Sequence, residues 1–367
     1  MTKTNTSTQT RLLFEPTKIK DVTFKNRIAV SPMCQYSSVD GLANDWHLVH
    51  LGNRAVGGAG LIIAEATAVE ARGRISPADV GLWRDDQVTP WKKITRFLKE
   101  QGTVPGIQLA HAGRKASTYA PHEGRGFLSE ADGGWQVVSA SAQPYNDSAP
   151  VPQALTQEQI ADVVRHFRDA AARALAAGFE LIEIHAAHGY LLHQFLSPHS
   201  NRRDDAYGGT LNNRSRMLMQ VIAAVKSVWP EKYPLWVRIS ATDWLEHTNE
   251  PSWTLAQSVA LAKALRTAGV DVIDVSSGGL SPAQEITVSP GYQVPAAATI
   301  KNEANIQTAA VGLITEPEQA EEILQKGRAD FIALGRELLR NPYWPLHAAK
   351  ALGVTTPWPV QYARAVK

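Results

Sequence analysis

The segment His185-Ala186-Ala187-His188-Gly189-Tyr190 puts two imidazoles and a phenol directly after the apolar run Phe179-Glu180-Leu181-Ile182-Glu183-Ile184. A strand that opens into such a loop can do chemistry in more than one way. Two ring N–H donors and a phenolic O–H can converge on one substrate oxygen and deliver a proton nearby. The His-x-x-His spacing can instead hold a metal, with Glu183 or His111 completing a zinc site for a metal-dependent hydrolase or aldolase. A core or capping role for one histidine is a third reading. HExxH is absent and a single cysteine gives no thiolate ligand set. The donor reading also uses Tyr190, which a zinc site does not need.

Further polar residues recur where other apolar runs end. Cys34 stands two residues before Tyr36; a lone cysteine is also often just a small buried hydrophobe. Gly312, Gly335 and Arg336 follow two late apolar runs. Glycines there let backbone N–H groups approach an anion, a helix start favours negative charge, and arginine adds a bidentate cation. Tight turns and a surface ion pair are the plain alternative. No GxGxxG or GxxxxGK[ST] is present, so the phosphate of a mononucleotide or phosphorylated substrate fits better than a resident dinucleotide.

Eight short apolar runs must position these groups: 27–32, 60–66, 105–110, 179–185, 235–240, 270–276, 305–310 and 330–335. Helical segments separate most of them. Ile160, Val163, Val164, Phe167, Ala171, Ala174 and Leu175 share one helical face, started by a Thr156–Gln159 capping box and stopped by Gly178. Thr315 and Glu318 repeat the capping pattern before Ala320. Strands apolar throughout and alternating with helices predict a covered parallel sheet, closed as an α/β (β/α)8 TIM barrel rather than an open doubly wound sheet. The active site is then expected at the C-terminal strand ends. Residues 14–27 predict a small hairpin before the first barrel strand, and 115–155 a long irregular loop after the third. The chain divides into a disordered tail, 1–12, and one domain, 13–367.

The composition is that of a globular chain: of 367 residues, 44% are hydrophobic and 20% charged. With 37 Lys plus Arg against 35 Asp plus Glu, there is no electrostatic case for nucleic acid or an anionic membrane. No run is long enough to span a bilayer. One cysteine excludes an internal disulfide and suits the cytoplasm.

Taken together, Ser31-Pro32-Met33-Cys34-Gln35-Tyr36, Glu65-Ala66-Thr67-Ala68, the run from Gln108 to Lys115, the His185–Tyr190 segment and Ser197 to Arg216 resemble the Old Yellow Enzyme family of flavin-dependent ene-reductases. The Cys34–Tyr36 pair, the Arg238 context and Pro359 to Arg364 resemble its thermophilic-like subgroup. The resemblance runs from about Leu13 to Arg364. It implies noncovalent FMN, with Pro32, Met33, Cys34, Ala66 and Gln108 lining the isoalloxazine, Arg238 beside its N1 and O2, and Gly312, Gly335 and Arg336 at the phosphate. It also implies NADPH or NADH as reductant and small activated alkenes, α,β-unsaturated carbonyl or nitro compounds, as substrates in a ping-pong hydride transfer. By the same resemblance His185 and His188 donate to the substrate oxygen and Tyr190 protonates the α-carbon. Tyr36 reaches the substrate, and Cys34 tunes the flavin. A homodimer or homotetramer is implied, with Arg364 entering a neighbouring subunit's site. The chain departs from the subgroup after Arg364, where no aromatic follows.

Overall fold

The computed structural model describes residues 10–366. Of the expected tail, residues 1–9 lie outside that range, and its last residues are anchored. The backbone N–H groups of Leu12 and Leu13 donate to the two carboxylate oxygens of the buried Glu321, both at 2.9 Å, and Gln325 Nε2 donates to the Thr10 carbonyl at 2.7 Å. The held chain therefore begins before Leu13.

An antiparallel hairpin, β1 (Thr17–Ile19) and β2 (Val22–Phe24), precedes the barrel. The barrel strands are β3 (Ile28–Val30), β4 (Leu61–Ala68), β5 (Val104–Ala110), β8 (Leu181–Ala186), β9 (Leu235–Ser240), β10 (Val272–Ser276), β11 (Gln307–Ala310) and β12 (Phe331–Leu334). They close in that order, all parallel, with β12 against β3. Every predicted run overlaps one of them; five strands lie wholly within their runs, while β4, β5 and β8 extend one or two residues past theirs. Almost every barrel-strand residue is buried, as a sheet lined inside and covered outside requires.

The covering helices are α1 (Asp45–Val56), α2 (Val88–Glu100), α3 (Gln157–Ala176), α5 (Leu211–Lys226), α6 (Leu255–Thr267), α7 (Val294–Ala304) and α8 (Pro317–Gln325). Short α4 (Leu191–Leu196), α9 (Arg336–Arg340) and α10 (Trp344–Ala351) complete the set. The Thr156–Gln159 capping box opens α3, whose Ile160, Val163, Phe167, Ala170, Ala171 and Ala174 are buried. Gly178 follows at φ 89°, the left-handed turn a glycine takes without strain. The second predicted capping box does not form. Pro317 starts α8 after Glu316, and the Thr315 N–H donates to Gln319 Oε1 instead.

Inward residues of three neighbouring strands stack in layers: Leu181, Glu183 and His185; Trp236, Arg238 and Ser240; Val272, Asp274 and Ser276. The bottom layer is apolar and is plugged by the hairpin, where Phe24 meets Phe331 edge-on at 5.2 Å. Polar groups are confined to the upper layers, at the carboxyl ends of the strands.

The 115–155 segment is more ordered than an irregular loop. Ser117–Leu128 folds back on itself, with a Thr118–Phe127 bridge, and β6 (Val138–Ser139) pairs in parallel with β7 (Gln153–Ala154). These elements are too short to show as periodicity.

Candidate active site at the strand ends

β8 ends in the segment that carries His185, His188 and Tyr190. The His185 ring lies 5.1 Å from the His188 ring and 5.0 Å from the Tyr190 ring, edge to face in both cases. His185 Nδ1 accepts the Ala187 N–H at 3.3 Å, so its proton sits on Nε2. His188 is held on three sides. Its N–H donates to Ser240 Oγ at 2.9 Å, its Nε2 meets Ser276 Oγ at 2.7 Å, and Lys115 Nζ donates to its carbonyl at 2.9 Å.

Gln293 continues the serine contact. Its Nε2 donates to the Val311 carbonyl at 3.0 Å, leaving Oε1 to accept from Ser277 Oγ at 2.5 Å. Ser276 Oγ stands between the two, 2.7 Å from His188 Nε2 and 3.4 Å from that same oxygen, to which it can donate. Each neutral ring is tied at one nitrogen and free at the other.

The backbone behind them is crowded. His188 is left-handed at φ 58° and Gly189 follows at φ 72°; a Cβ on Gly189 would sit 2.2 Å from the Gly279 carbonyl oxygen. Lys115 bridges the same two loops by donating also to Gly279 O at 2.8 Å.

Burial, then the Arg238 charge, holds both imidazoles well below their usual pKa, so they are neutral at pH 7. Burial pushes the Tyr190 phenol well above its usual value, and it stays protonated. The Cys34 thiol is likewise pushed up, first by burial and then by Asp79 and Glu65. It hydrogen-bonds with Tyr36, whose phenol is raised by burial and whose backbone is left-handed at φ 49°. Asp79, buried, caps the neighbouring turn through the N–H groups of Ile75 and Ser76 at 2.7 and 3.2 Å, and burial lifts its carboxyl to about 7.

One layer below lie Gln108, Glu183, Arg238 and Asp274. Gln108 Nε2 donates to Glu183 Oε1 at 2.8 Å, and Arg238 Nε stands 3.3 Å from Asp274 Oδ2. Both carboxyls are fully buried, and burial raises both. They share a hydrogen bond beside a single guanidinium, so one proton between them keeps the layer neutral.

β11 and β12 open onto a cavity of about 170 Å³ lined by Gly312, Leu313, Gly335, Arg336 and Arg340. A Cβ on Gly335 would meet only Met33 Sδ, at 3.7 Å, leaving room for close approach. Arg336 is exposed there and has no ion-pair partner among the described residues. An unpaired guanidinium beside glycine walls suits a phosphate. The largely buried Arg238 guanidinium, turned through Nε toward Asp274, places a cation on β9 that suits the electron-rich edge of a flavin. Pro32, Met33, Cys34, Ala66 and Gln108 sit at the ends of β3, β4 and β5, between these two arginines in barrel order. The residues present fit FMN.

Some sequence-proposed groups do not join the site. His111 Nε2 pairs with Glu70 at 2.7 Å, and Glu183 turns to Gln108. Neither completes a metal set with His185 and His188, and no group of three potential ligands occurs among the described residues. Arg364 lies exposed on the 3-10 turn Val360–Ala365, apart from these residues of its own chain. Lys115, Asp79, Ser276 and Gln293 support the site without having been picked out by role. Lys115 was signalled by the Gln108–Lys115 run and Ser276 by its strand end; Asp79 and Gln293 gave no local signal.

A family model for the NADH:flavin oxidoreductase / NADH oxidase family matches residues 12–354. The NADPH dehydrogenase of Geobacillus sp. (strain WCH70) is 51% identical over 355 residues, covering 96% of this chain and 98% of that one. That of Listeria innocua serovar 6a is 51% identical over 357 residues, covering 97% and 99%. Among solved structures, morphinone reductase aligns with a TM-score of 0.77 at 26% identity, covering 96% of this chain and 93% of that one. The old yellow enzyme homologue from Zymomonas mobilis aligns with a TM-score of 0.76 at 26% identity, covering 94% of each. No helix among the described residues is long and apolar enough to cross a membrane.

Proposed function

This chain belongs to the NADH:flavin oxidoreductase / NADH oxidase family, and we propose that within it the protein reduces the C=C bond of α,β-unsaturated carbonyl or nitro compounds. It is an FMN-dependent oxidoreductase with NADPH or NADH as reductant. Arg238 and Arg336 would hold FMN at its two ends, and the bound flavin would supply hydride-transfer chemistry between the nicotinamide and the alkene, which would alternate at one mouth.

The observation that carries this reading is the pair of neutral imidazoles, each tied at one nitrogen and free at the other. Their N–H groups hold the activating oxygen of the substrate and stabilise the negative charge that gathers there. Neutral donors suit the task because they need no deprotonation and leave the oxygen free to accept. Tyr190, 5.0 Å from the His185 ring, supplies a proton to the α-carbon, and its raised pKa keeps that proton available. Tyr36 orients the substrate from the β3 end, and Cys34 sets the environment of the flavin there.

The same proposal includes a homo-oligomer in which Arg364 reaches a neighbour's mouth. Its support is Arg364, without an ion-pair partner among the described residues, on a terminal turn where Val360 is 79% exposed and Val366 52%.

The test is anaerobic. FMN-loaded protein mixed with NADPH loses its yellow band near ~450 nm and regains it on addition of cyclohex-2-enone, with cyclohexanone formed. A reduced protein that oxygen reoxidises but no enone or nitroalkene does would overturn the reading.

A further inference from the structure

Beyond the strand ends the site opens into a second cavity of about 520 Å³. Tyr190 is its inner wall, and neither His185 nor His188 lines it. A substrate held by its oxygen at the histidines therefore sends its distal end past Tyr190 into this space. Tyr119, Phe127 and Tyr145 contribute aromatic rings to its lining. The segment that carries Tyr119 and Phe127 is fixed by backbone bonds: Leu128 N–H to Ser117 O at 2.7 Å and Tyr119 N–H to Gly126 O at 3.2 Å. Several rings in one lining suit a flat aromatic group, which packs well edge-on or offset against them. An apolar cavity of roughly 150 Å³ already accommodates benzene, so a methyl-substituted enone would leave most of this one unfilled.

The charges add a second constraint. Lys115 and Arg125 are the charged residues lining the cavity, and neither has a carboxylate partner among the described residues. Lys115 spends two of its donors on the His188 and Gly279 carbonyls, with Nζ 4.9 Å from the Tyr145 ring centre and 5.2 Å from that of Tyr190. Arg125 stands exposed at the rim. A cationic substrate end meets repulsion and an anionic end meets attraction.

We propose that this cavity selects activated alkenes bearing an aryl group with an anionic distal substituent, such as a carboxylate. The inference rests on the proposed alkene reduction, but its ranking can be read without turnover.

Four ketones separate the two. Pent-3-en-2-one tests reduction alone. 4-Phenylbut-3-en-2-one and its para-carboxylate and para-trimethylammonium derivatives test the cavity. The para-carboxylate has the highest kcat/KM and the trimethylammonium compound the lowest, apart by at least about tenfold at low salt and less at high salt. Ring electronics oppose this order, because the ammonium group makes the alkene the better hydride acceptor. The saturated ketones, titrated as ligands, give the same order of affinity, with the lowest Kd for the para-carboxylate, whether or not any alkene is reduced. Arg125→Gln compresses the spread and leaves pent-3-en-2-one turnover unchanged. Equal use and equal binding of the two charged compounds, or a spread untouched by Arg125→Gln, would overturn the inference. Failure with pent-3-en-2-one and every other enone would overturn the reduction instead.

Discussion

Glu183 and His185 stand two residues apart on β8 and face the same barrel interior, yet burial pushes them in opposite directions. The imidazole is held neutral by losing its proton and the carboxyl by keeping one. Arg238 acts on both. It holds the histidines down and tempers the rise of the carboxyl pair. The upper layer is thus a set of neutral donors ready for an oxygen. The lower layer is a net-neutral scaffold in which one guanidinium balances a carboxyl pair that shares a proton. A single strand supplies both because its inward positions recur every second residue.

Removing the shared cation breaks this arrangement most severely. Arg238→Met leaves two buried carboxyls with no counter-charge, and stability falls by about 3–5 kcal/mol in chemical denaturation. The same variant lets the His185 and His188 pKa values rise, which imidazole NMR titration reads. Unchanged stability and unshifted imidazoles would mean that the layers are independent. His185→Ala strikes only the upper layer. Alkene reduction slows by about a hundred- to a thousandfold, while reduction of the protein-bound flavin by NADPH and the melting temperature change little. A fall in both half-reactions alike would remove the layer's selectivity for the substrate oxygen.

Asp79 sharpens the comparison because it titrates within reach. Its carboxyl rises from the ordinary 3.8 to about 7 in the folded protein. A raised carboxyl contributes stability that is complete below the unfolded value and is lost as pH rises through the folded one. Between pH ~4 and ~7 the wild type therefore loses up to about 1.4 kcal/mol per pH unit relative to Asp79→Asn. Above that window the difference levels off. Denaturant titrations of both proteins across this range measure it, and a flat difference would return Asp79 to an ordinary surface-like carboxyl.

The barrel was legible in the sequence because its strands are buried on both faces and read as unbroken apolar runs, ended by the polar residues that build the site. The His185–Tyr190 segment was legible for the same reason: its groups lie within one strand end. Contacts between distant strand ends were not. Ser276 meets His188 across 88 residues and Lys115 meets it across 73, and no local pattern encodes either distance. The Glu183–Asp274 proton has the same origin, since each residue alone reads as one polar position in an apolar run. The 115–155 segment hid its order because a two-residue strand and a short reversal carry no period. Its aromatic residues Tyr119, Phe127 and Tyr145 come to line one cavity only once the segment is folded.

The central claim is that neutral donors hold an oxygen while Tyr190 supplies the proton. Stopped-flow kinetics on Tyr190→Phe test it most directly, because the two half-reactions are followed separately by flavin absorbance. The account predicts that NADPH bleaches the variant's flavin at the wild-type rate, while reoxidation by cyclohex-2-enone slows by about a hundredfold or more. Equal slowing of both halves, or wild-type reoxidation by the enone, would contradict it.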